Sequence, residues 1–187
     1  MLSDGIIYVN NRYRVYPRGC LARLSIHRKD KKMTDYRLIQ EQADEIIAAE
    51  PFYVASLANL SALLFESMEG LNWAGFYLMD RGSLLVGPFQ GRTACIRIEI
   101  GRGVCGTAVK EDRIQRVADV HAFPGHIACD AASRSEIVLP IHSGGRIVGV
   151  LDIDSPLPDR FREEDEEGLA GLVRIIEEKA DFRELRD

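Results

Sequence analysis

The stretch EIVLPIHSGGRIVGVLDIDS, residues 136–155, carries the clearest structural signal in the chain. Two apolar runs rich in β-branched residues flank Ser143-Gly144-Gly145, a pattern typical of two strands joined by a tight turn. In an antiparallel pair the start of the first strand lies opposite the end of the second. The sequence therefore predicts a hairpin that brings Glu136 close to Asp152 and Asp154, which share one face of the second strand.

Four segments upstream also have strand character and extend this hairpin into a sheet. LNWAGFYLMD, residues 71–80, is apolar on both alternating faces, as expected of a central strand that is covered on each side. It is followed by SLLVGPFQ, ACIRIEI and RIQRVADV, which are residues 83–90, 94–100 and 113–120. In ACIRIEI the isoleucines alternate with Cys95, so that if they face the core, Cys95 faces the more polar side.

Helical periodicity brackets these strands. Apolar residues recur at three- and four-residue steps over 34–69, with a break at Pro51, and again over 161–182. GRGVCGTAVKEDR, residues 101–113, places Cys105 in or near a first helical turn, where the helix dipole lowers a thiol pKa or holds an anion. The expected fold is therefore α+β: a single domain with a mostly antiparallel sheet of five or six strands, flanked by N-terminal and C-terminal helices.

Composition and charge divide the chain near residue 33. An apolar content of 46% with 28% charged residues is ordinary for a globular protein, and no apolar run reaches the roughly 20 residues that span a bilayer. Residues 1–32 hold eight Lys or Arg and two Asp, a net charge of +6, which leaves −11 for residues 33–187. A nucleic-acid arm would explain the basic residues. We instead expect a disordered extension or a product of too early a start codon, and no nucleic-acid or membrane partner.

Three of the four cysteines, Cys95, Cys105 and Cys129, lie within about a fifth of the chain. No secretory signal precedes them, so we expect a cytoplasmic location, where structural disulfides are rare. Their spacing contains no C-x-x-C pair, which argues against a structural zinc site, and we expect neither metal nor cofactor. Cys129 lies in the loop HAFPGHIACDAASRS, residues 121–135, and loops of this length tend to carry function. Redox chemistry is the favoured interpretation, although a cysteine is more often an inert small hydrophobe, an alternative that applies most to Cys105.

The order of these elements, with the runs LNWAGFYL, LLVGPFQG, GRGVCGTAV, HIACDAASRSEIVLP and GVLDIDS, resembles the free methionine-(R)-sulfoxide reductases, single-domain enzymes of the GAF fold. The resemblance covers residues 34 to about 178. It implies reduction of the R-epimer of free methionine sulfoxide, with electrons from thioredoxin, as part of the response to oxidative stress, in a protein that can form a homodimer. It also implies that Cys129 attacks the sulfoxide, that Cys95 is the resolving thiol, and that Cys105 is a second resolving or relay thiol.

The resemblance further implies a substrate pocket made of Trp73, Tyr77, Glu136, Asp152 and Asp154. Residues of these types suit the chemistry, because a sulfoxide sulfur becomes electrophilic once its oxygen is protonated. A thiolate is then needed beside a carboxyl group of raised pKa. An acidic cluster would bind the ammonium group of a free amino acid, and the tryptophan would pack on its S-methyl group. The alternatives with a purely structural role are that Glu136 pairs with a surface arginine and that Asp154 caps a turn.

A different class of function is also compatible with these observations. Domains of the GAF fold commonly bind small molecules to regulate an attached domain, so the alternative is a non-catalytic, ligand-sensing module. A sensor needs an output, and beyond the short basic segment this sequence contains no kinase, cyclase or DNA-binding segment. Catalysis is therefore the preferred hypothesis.

Overall fold

The computed structural model describes residues 5–9, 12–16, 34–125 and 131–185, the first two ranges by their backbone alone. The chain divides into two units, residues 1–33 and residues 34–187. In the first unit, strands β1 (Gly5–Val9) and β2 (Arg12–Tyr16) pair antiparallel as a hairpin. The origin and possible disorder of residues 1–32 stay a prediction, because most of this segment lies outside the described residues.

The second unit is built around a six-stranded antiparallel sheet. Its strands are β3 (Trp73–Asp80), β4 (Ser83–Gly91), β5 (Arg97–Glu99), β6 (Gln115–Val117), β7 (Ser135–Ser143) and β8 (Arg146–Ser155). Their spatial order is β5-β4-β3-β8-β7-β6, and every neighbouring pair is antiparallel. The helices are α1 (Tyr36–Ala49), α2 (Tyr53–Ser67), α3 (Gly103–Glu111) and α4 (Glu163–Lys179). The predicted α+β fold is confirmed, including the break between the first two helices.

The sheet is covered on both faces, as the apolar pattern of residues 71–80 predicted. Side chains alternate along β3, so Ala74 and Phe76 point into the main core, which they share with residues of α1, α2 and α4. Trp73 and Tyr77 point to the opposite face, into a smaller core that they share with residues of α3. None of the helices in the described part of the chain has the length and apolar character needed to cross a membrane.

The β7–β8 hairpin forms as predicted, around Gly144 and Gly145. Both glycines have positive φ, +60° and +79°, which a two-residue turn of this hairpin class requires. The pairing places Glu136 opposite Asp154 and Val138 opposite Asp152. The register therefore puts the three acids on the same face of the sheet as Trp73 and Tyr77.

The third strand is shorter than predicted. β5 contains only Arg97–Glu99, and the residues before it leave the ladder. Ile98 is buried, but Ile96 is 71% exposed, so the expectation that the three isoleucines face the core is wrong for Ile96. The reason is that β5 is an edge strand with a single partner, which leaves the backbone before Arg97 without a second strand to hold its alternation.

Candidate active site

A pocket opens on the face of the sheet that carries α3. The space inside it is about 530 Å³, a figure that includes open solvent at its mouth. All five residues predicted for the substrate pocket line it, together with Cys105: Trp73, Tyr77, Glu136, Asp152 and Asp154. The structure therefore brings together residues from β3, β7, β8 and α3 that are far apart in the sequence.

One wall of the pocket is aromatic. Trp73 and Tyr77, two positions apart on one face of β3, stack with ring centroids 5.8 Å apart and are almost fully buried. Trp73 also stacks on Phe89 of β4, at 5.1 Å and an interplanar angle of 14°. Two hydrogen bonds fix the rings: the Trp73 indole donates to the carbonyl oxygen of Arg92, and the Tyr77 hydroxyl donates to that of Cys95. The wall is thus a rigid surface of the kind that packs against an apolar group.

Gly75 makes this wall possible. It lies between the two aromatic residues on the same face of β3, and it pairs with Phe89 across the β3–β4 ladder. A Cβ atom at position 75 would lie 2.3 Å from the Cβ of Phe89. The missing side chain therefore provides the space in which Phe89 reaches Trp73.

The acidic side chains lie next to this wall on the same face of the sheet, with Asp154 directly across from Trp73 and Asp152 across from Gly75. Glu136 and Asp152 are only 7% and 5% exposed, and Asp154 is half-buried. The Cys105 thiol donates a long hydrogen bond of 3.8 Å to Oε1 of Glu136. The predicted approach of Glu136 to the two aspartates is confirmed. The alternative that Glu136 pairs with a surface arginine is wrong, because Arg134 forms its ion pair with Asp119, at 3.6 Å.

Burial without a compensating cation sets the electrostatics of these acids. Desolvation raises the pKa of Asp152 to about 7, although hydrogen bonds from Cys105 and Glu136 oppose the rise. Desolvation, and then the charges of Asp152 and Asp154, raise the pKa of Glu136 well above its ordinary value. Glu136 therefore keeps its proton to a higher pH than a glutamate in water does. One carboxylate oxygen of Asp152, Oδ1, is buried without a hydrogen-bond partner among the described residues.

The electrostatics of Cys105 differ from the expectation. Cys105 does lie in the first turn of α3, as predicted, but burial and the neighbouring acids raise its thiol pKa well above the ordinary value. The predicted lowering of this pKa is therefore wrong. The helix dipole contributes less than the combined effect of desolvation and nearby carboxylates.

The cysteines differ in state. Cys105 is a buried free thiol, whereas Cys95 is half-buried and takes part in a disulfide. Cys129 lies outside the described residues, as does Cys20. The residues on either side of the segment that contains Cys129 lie at the pocket: the carbonyl of Gly125 accepts from the amide of Gly103 at the start of α3, and Ser133 lines the pocket.

Several residues around the pocket were not anticipated from the sequence. Phe89 supports the aromatic wall, and Arg102 and Gly103 form part of the lining at the start of α3. Ser133 lines the pocket and accepts a hydrogen bond from the side-chain amide of Asn72. The only sequence signal for these positions was their proximity to predicted site residues.

Comparison with known proteins identifies related chains. A family profile described as GAF domain matches residues 43–178. The chain is 54% identical over 142 residues to the free methionine-R-sulfoxide reductase of Escherichia coli (strain K12), covering 76% of this chain and 86% of that protein. A structure of the Neisseria meningitidis free methionine-R-sulfoxide reductase in complex with its substrate is 46% identical, with a TM-score of 0.74, covering 77% of this chain and 87% of that one. A reduced-form structure of the Staphylococcus aureus fRMsr is 53% identical, with a TM-score of 0.78, covering 80% and 97% of the two chains.

Proposed function

Because the chain belongs to the GAF-domain family of free methionine-(R)-sulfoxide reductases, we propose that it reduces free L-methionine (R)-S-oxide to L-methionine. The observation that carries this proposal is the pocket itself. A stacked aromatic pair lies beside two buried acids of raised pKa and a thiol, and all of them line one pocket. The alternative of a non-catalytic sensor requires the same pocket to bind a ligand without turnover.

Substrate recognition follows from the aromatic wall and the acidic side chains beside it. The S-methyl end of methionine sulfoxide packs against Trp73 and Tyr77, and the ammonium group binds the carboxylates of Asp152 and Asp154. Peptide-bound methionine sulfoxide lacks that ammonium, which explains a preference for the free amino acid. A cationic ligand would also give Asp152 Oδ1 the partner it otherwise lacks.

Glu136 is the proton donor in this proposal. Burial and the neighbouring carboxylates raise its pKa well above the ordinary value, which favours the protonated form. A carboxylic acid that is held neutral in this way can donate its proton to the sulfoxide oxygen. Protonation makes the sulfur electrophilic and prepares it for attack by a thiolate.

Cys129 is the attacking thiol. Its sulfur takes the oxygen of the sulfoxide, so that methionine leaves and Cys129 becomes a sulfenic acid. Cys95 then condenses with that sulfenic acid, releasing water and forming a disulfide, and Cys105 serves as a second resolving or relay thiol. The support is that Gly125 and Ser133, on either side of the Cys129 segment, lie at the pocket, and that Cys95 is found in a disulfide.

A dithiol protein must then reduce the disulfide to complete the cycle, and thioredoxin is the proposed donor. Thiol–disulfide exchange returns two thiols and oxidises the donor, so the two electrons balance. A cytoplasmic location, a role in the response to oxidative stress and homodimer formation complete the proposal. Light scattering on the purified chain tests whether it dimerises.

The test of this function is turnover. The full chain is incubated with free methionine (R)-sulfoxide, thioredoxin, thioredoxin reductase and NADPH, and the loss of NADPH absorbance is followed. Consumption that depends on the free R-epimer supports a reductase. Tight binding of methionine sulfoxide without NADPH consumption would instead favour the sensing module.

Two variants assign the thiols. Cys129→Ser should reduce turnover to the background rate, whereas Cys20→Ser, a matched change in the basic segment, should leave it unchanged. Cys95→Ser should still release one equivalent of methionine without thioredoxin, since resolution follows the first attack. Loss of that first equivalent would show that the roles of the two thiols are assigned wrongly.

A further inference from the structure

One thiol and two carboxyl groups in the pocket have the arrangement of a metal-ligand set. Atoms of Cys105, Glu136 and Asp152 that can bind a metal all lie within 4.8 Å of one another, and all three residues are buried. In a tetrahedral zinc site, bonds of about 2.3 Å to sulfur and about 2.0 Å to oxygen separate these two ligands by about 3.5 Å. The observed separation of Cys105 Sγ and Glu136 Oε1 is 3.8 Å, so this pair needs little movement.

A second observation points to a cation at the same place. Asp152 is 5% exposed and lines the pocket, and its Oδ1 has no hydrogen-bond partner among the residues that the structure describes. A buried carboxylate oxygen without a partner is destabilising, and a bound cation would remove that penalty. Asp152 therefore brings a buried oxygen, without a partner among the described residues, to the cluster that it forms with Cys105 and Glu136.

We propose that Cys105, Glu136 and Asp152 form a binding site for a zinc-type divalent cation, which occupies the pocket when substrate is absent. A thiolate ligand disfavours Mg²⁺ and Ca²⁺, which prefer all-oxygen sites, and favours Zn²⁺. Three protein ligands leave a fourth position open towards the pocket. The cation excludes an amino acid from the same acids, so zinc inhibits any activity that uses this pocket.

The absence of a C-x-x-C pair does not count against this site. That spacing argument concerns a structural site made of several cysteines, whereas this set uses a single cysteine and two acids from the β7–β8 hairpin. The three positions are separated by 31 residues from Cys105 to Glu136 and by a further 16 to Asp152, so only the fold brings them together.

The test uses Co²⁺ as a spectroscopic substitute for Zn²⁺. The full chain, reduced with a phosphine so that no small thiol competes for metal, is titrated with CoCl₂. A thiolate-to-cobalt charge-transfer band and tetrahedral visible bands are expected, and ZnCl₂ should abolish both. The band should persist in Cys20→Ser and disappear in Cys105→Ser. No band in the wild-type protein at millimolar Co²⁺, or an unchanged band in Cys105→Ser, would overturn the proposal.

A second variant keeps the test decisive if Cys105→Ser fails to fold. Glu136→Gln removes one ligand and leaves every cysteine in place. Loss of an outer-shell partner alone weakens metal binding by roughly 10- to 100-fold, so loss of a direct ligand should weaken Co²⁺ binding at least as much. An unchanged Co²⁺ affinity in a folded Glu136→Gln protein would place the metal elsewhere.

The proposed metal site and the proposed reductase function are tested by independent measurements. The cobalt band is read without turnover, so a protein inactive towards methionine sulfoxide would still bind Co²⁺ through Cys105. An active reductase without the band would refute the metal site alone. With both proposals correct, methionine sulfoxide should displace Co²⁺ and ZnCl₂ should inhibit competitively.

Discussion

Replacing Asp152 by asparagine should stabilise the protein at alkaline pH even though it damages the pocket. Burial raises the pKa of Asp152 from an ordinary value of 3.8 to about 7. An acid whose pKa is raised in the folded state contributes stability below pH 3.8, and this contribution is lost as the pH rises to about 7. Above pH 7 the wild-type protein therefore carries a buried charge that the unfolded chain would leave in water.

The magnitude follows from the shift. About three pKa units at 1.36 kcal/mol each give an upper limit of about 4 kcal/mol for the penalty at pH 8. Glu136 donates a hydrogen bond to the carboxylate that an amide accepts less strongly, and this loss is about 1 kcal/mol. The Asp152→Asn protein should therefore be more stable than wild type by about 2–4 kcal/mol at pH 8 and within about 1 kcal/mol of it near pH 4.

Urea unfolding followed by circular dichroism from pH 4 to pH 8 measures this difference, with the redox state of the cysteines held constant. Asp181→Asn is the matched control, because Arg183 lowers the pKa of the partly exposed Asp181 to about 2. Its loss should weaken stability slightly at neutral pH, the opposite sign. A difference between Asp152→Asn and wild type that does not change with pH would refute the assignment of a raised pKa to Asp152.

Three further changes test the packing and the charges. Gly75→Ala should lower the free energy of unfolding by about 1–3 kcal/mol and raise KM for methionine sulfoxide, since the new Cβ displaces Phe89; denaturant melts and kinetics check both. Gly168→Ala should lower the free energy of unfolding by a similar amount, because its Cβ would lie 2.1 Å from the Tyr36 ring and disturb the α1–α4 contact. KM should not change, and a rise in KM equal to that of Gly75→Ala would contradict this prediction. His142 is partly desolvated, yet hydrogen bonds to carboxylates on α3 and α4 raise its pKa. His142→Gln should therefore be less stable than wild type below pH 6.5. The difference should shrink as the pH rises through the folded-state pKa of His142, and thermal melts measure it.

The His142 prediction has a clear structural basis. Nδ1 of His142 lies 2.9 Å from Glu177 on α4, and Nε2 lies 2.8 Å from Asp112, the C-cap residue of α3. The protonated ring joins the helix that carries Cys105 to the C-terminal helix. A stability difference that grows with pH would show that the ring acts in its neutral form.

Most of the fold could be predicted because its signals are local. Alternation over residues 71–80 identified a strand with two buried faces, and Gly144-Gly145 identified a two-residue turn that fixes the hairpin register. Antiparallel pairing of the two hairpin strands by itself places Glu136 near Asp152 and Asp154. The start of β5 was missed, because its pairing with β4 begins only at Arg97 although β4 itself continues to Gly91.

The sequence by itself determined the order of the elements, the antiparallel hairpin and the residue types of the site, because periodicity, turn residues and apolar runs act over a few neighbouring positions. Only the tertiary structure decided that Cys105 has a raised pKa, that Phe89 fills the space left by Gly75 and that Asp152 keeps an unpaired oxygen. The reason is physical: desolvation and close contact depend on what other segments bring to the same point, and no local pattern contains that information.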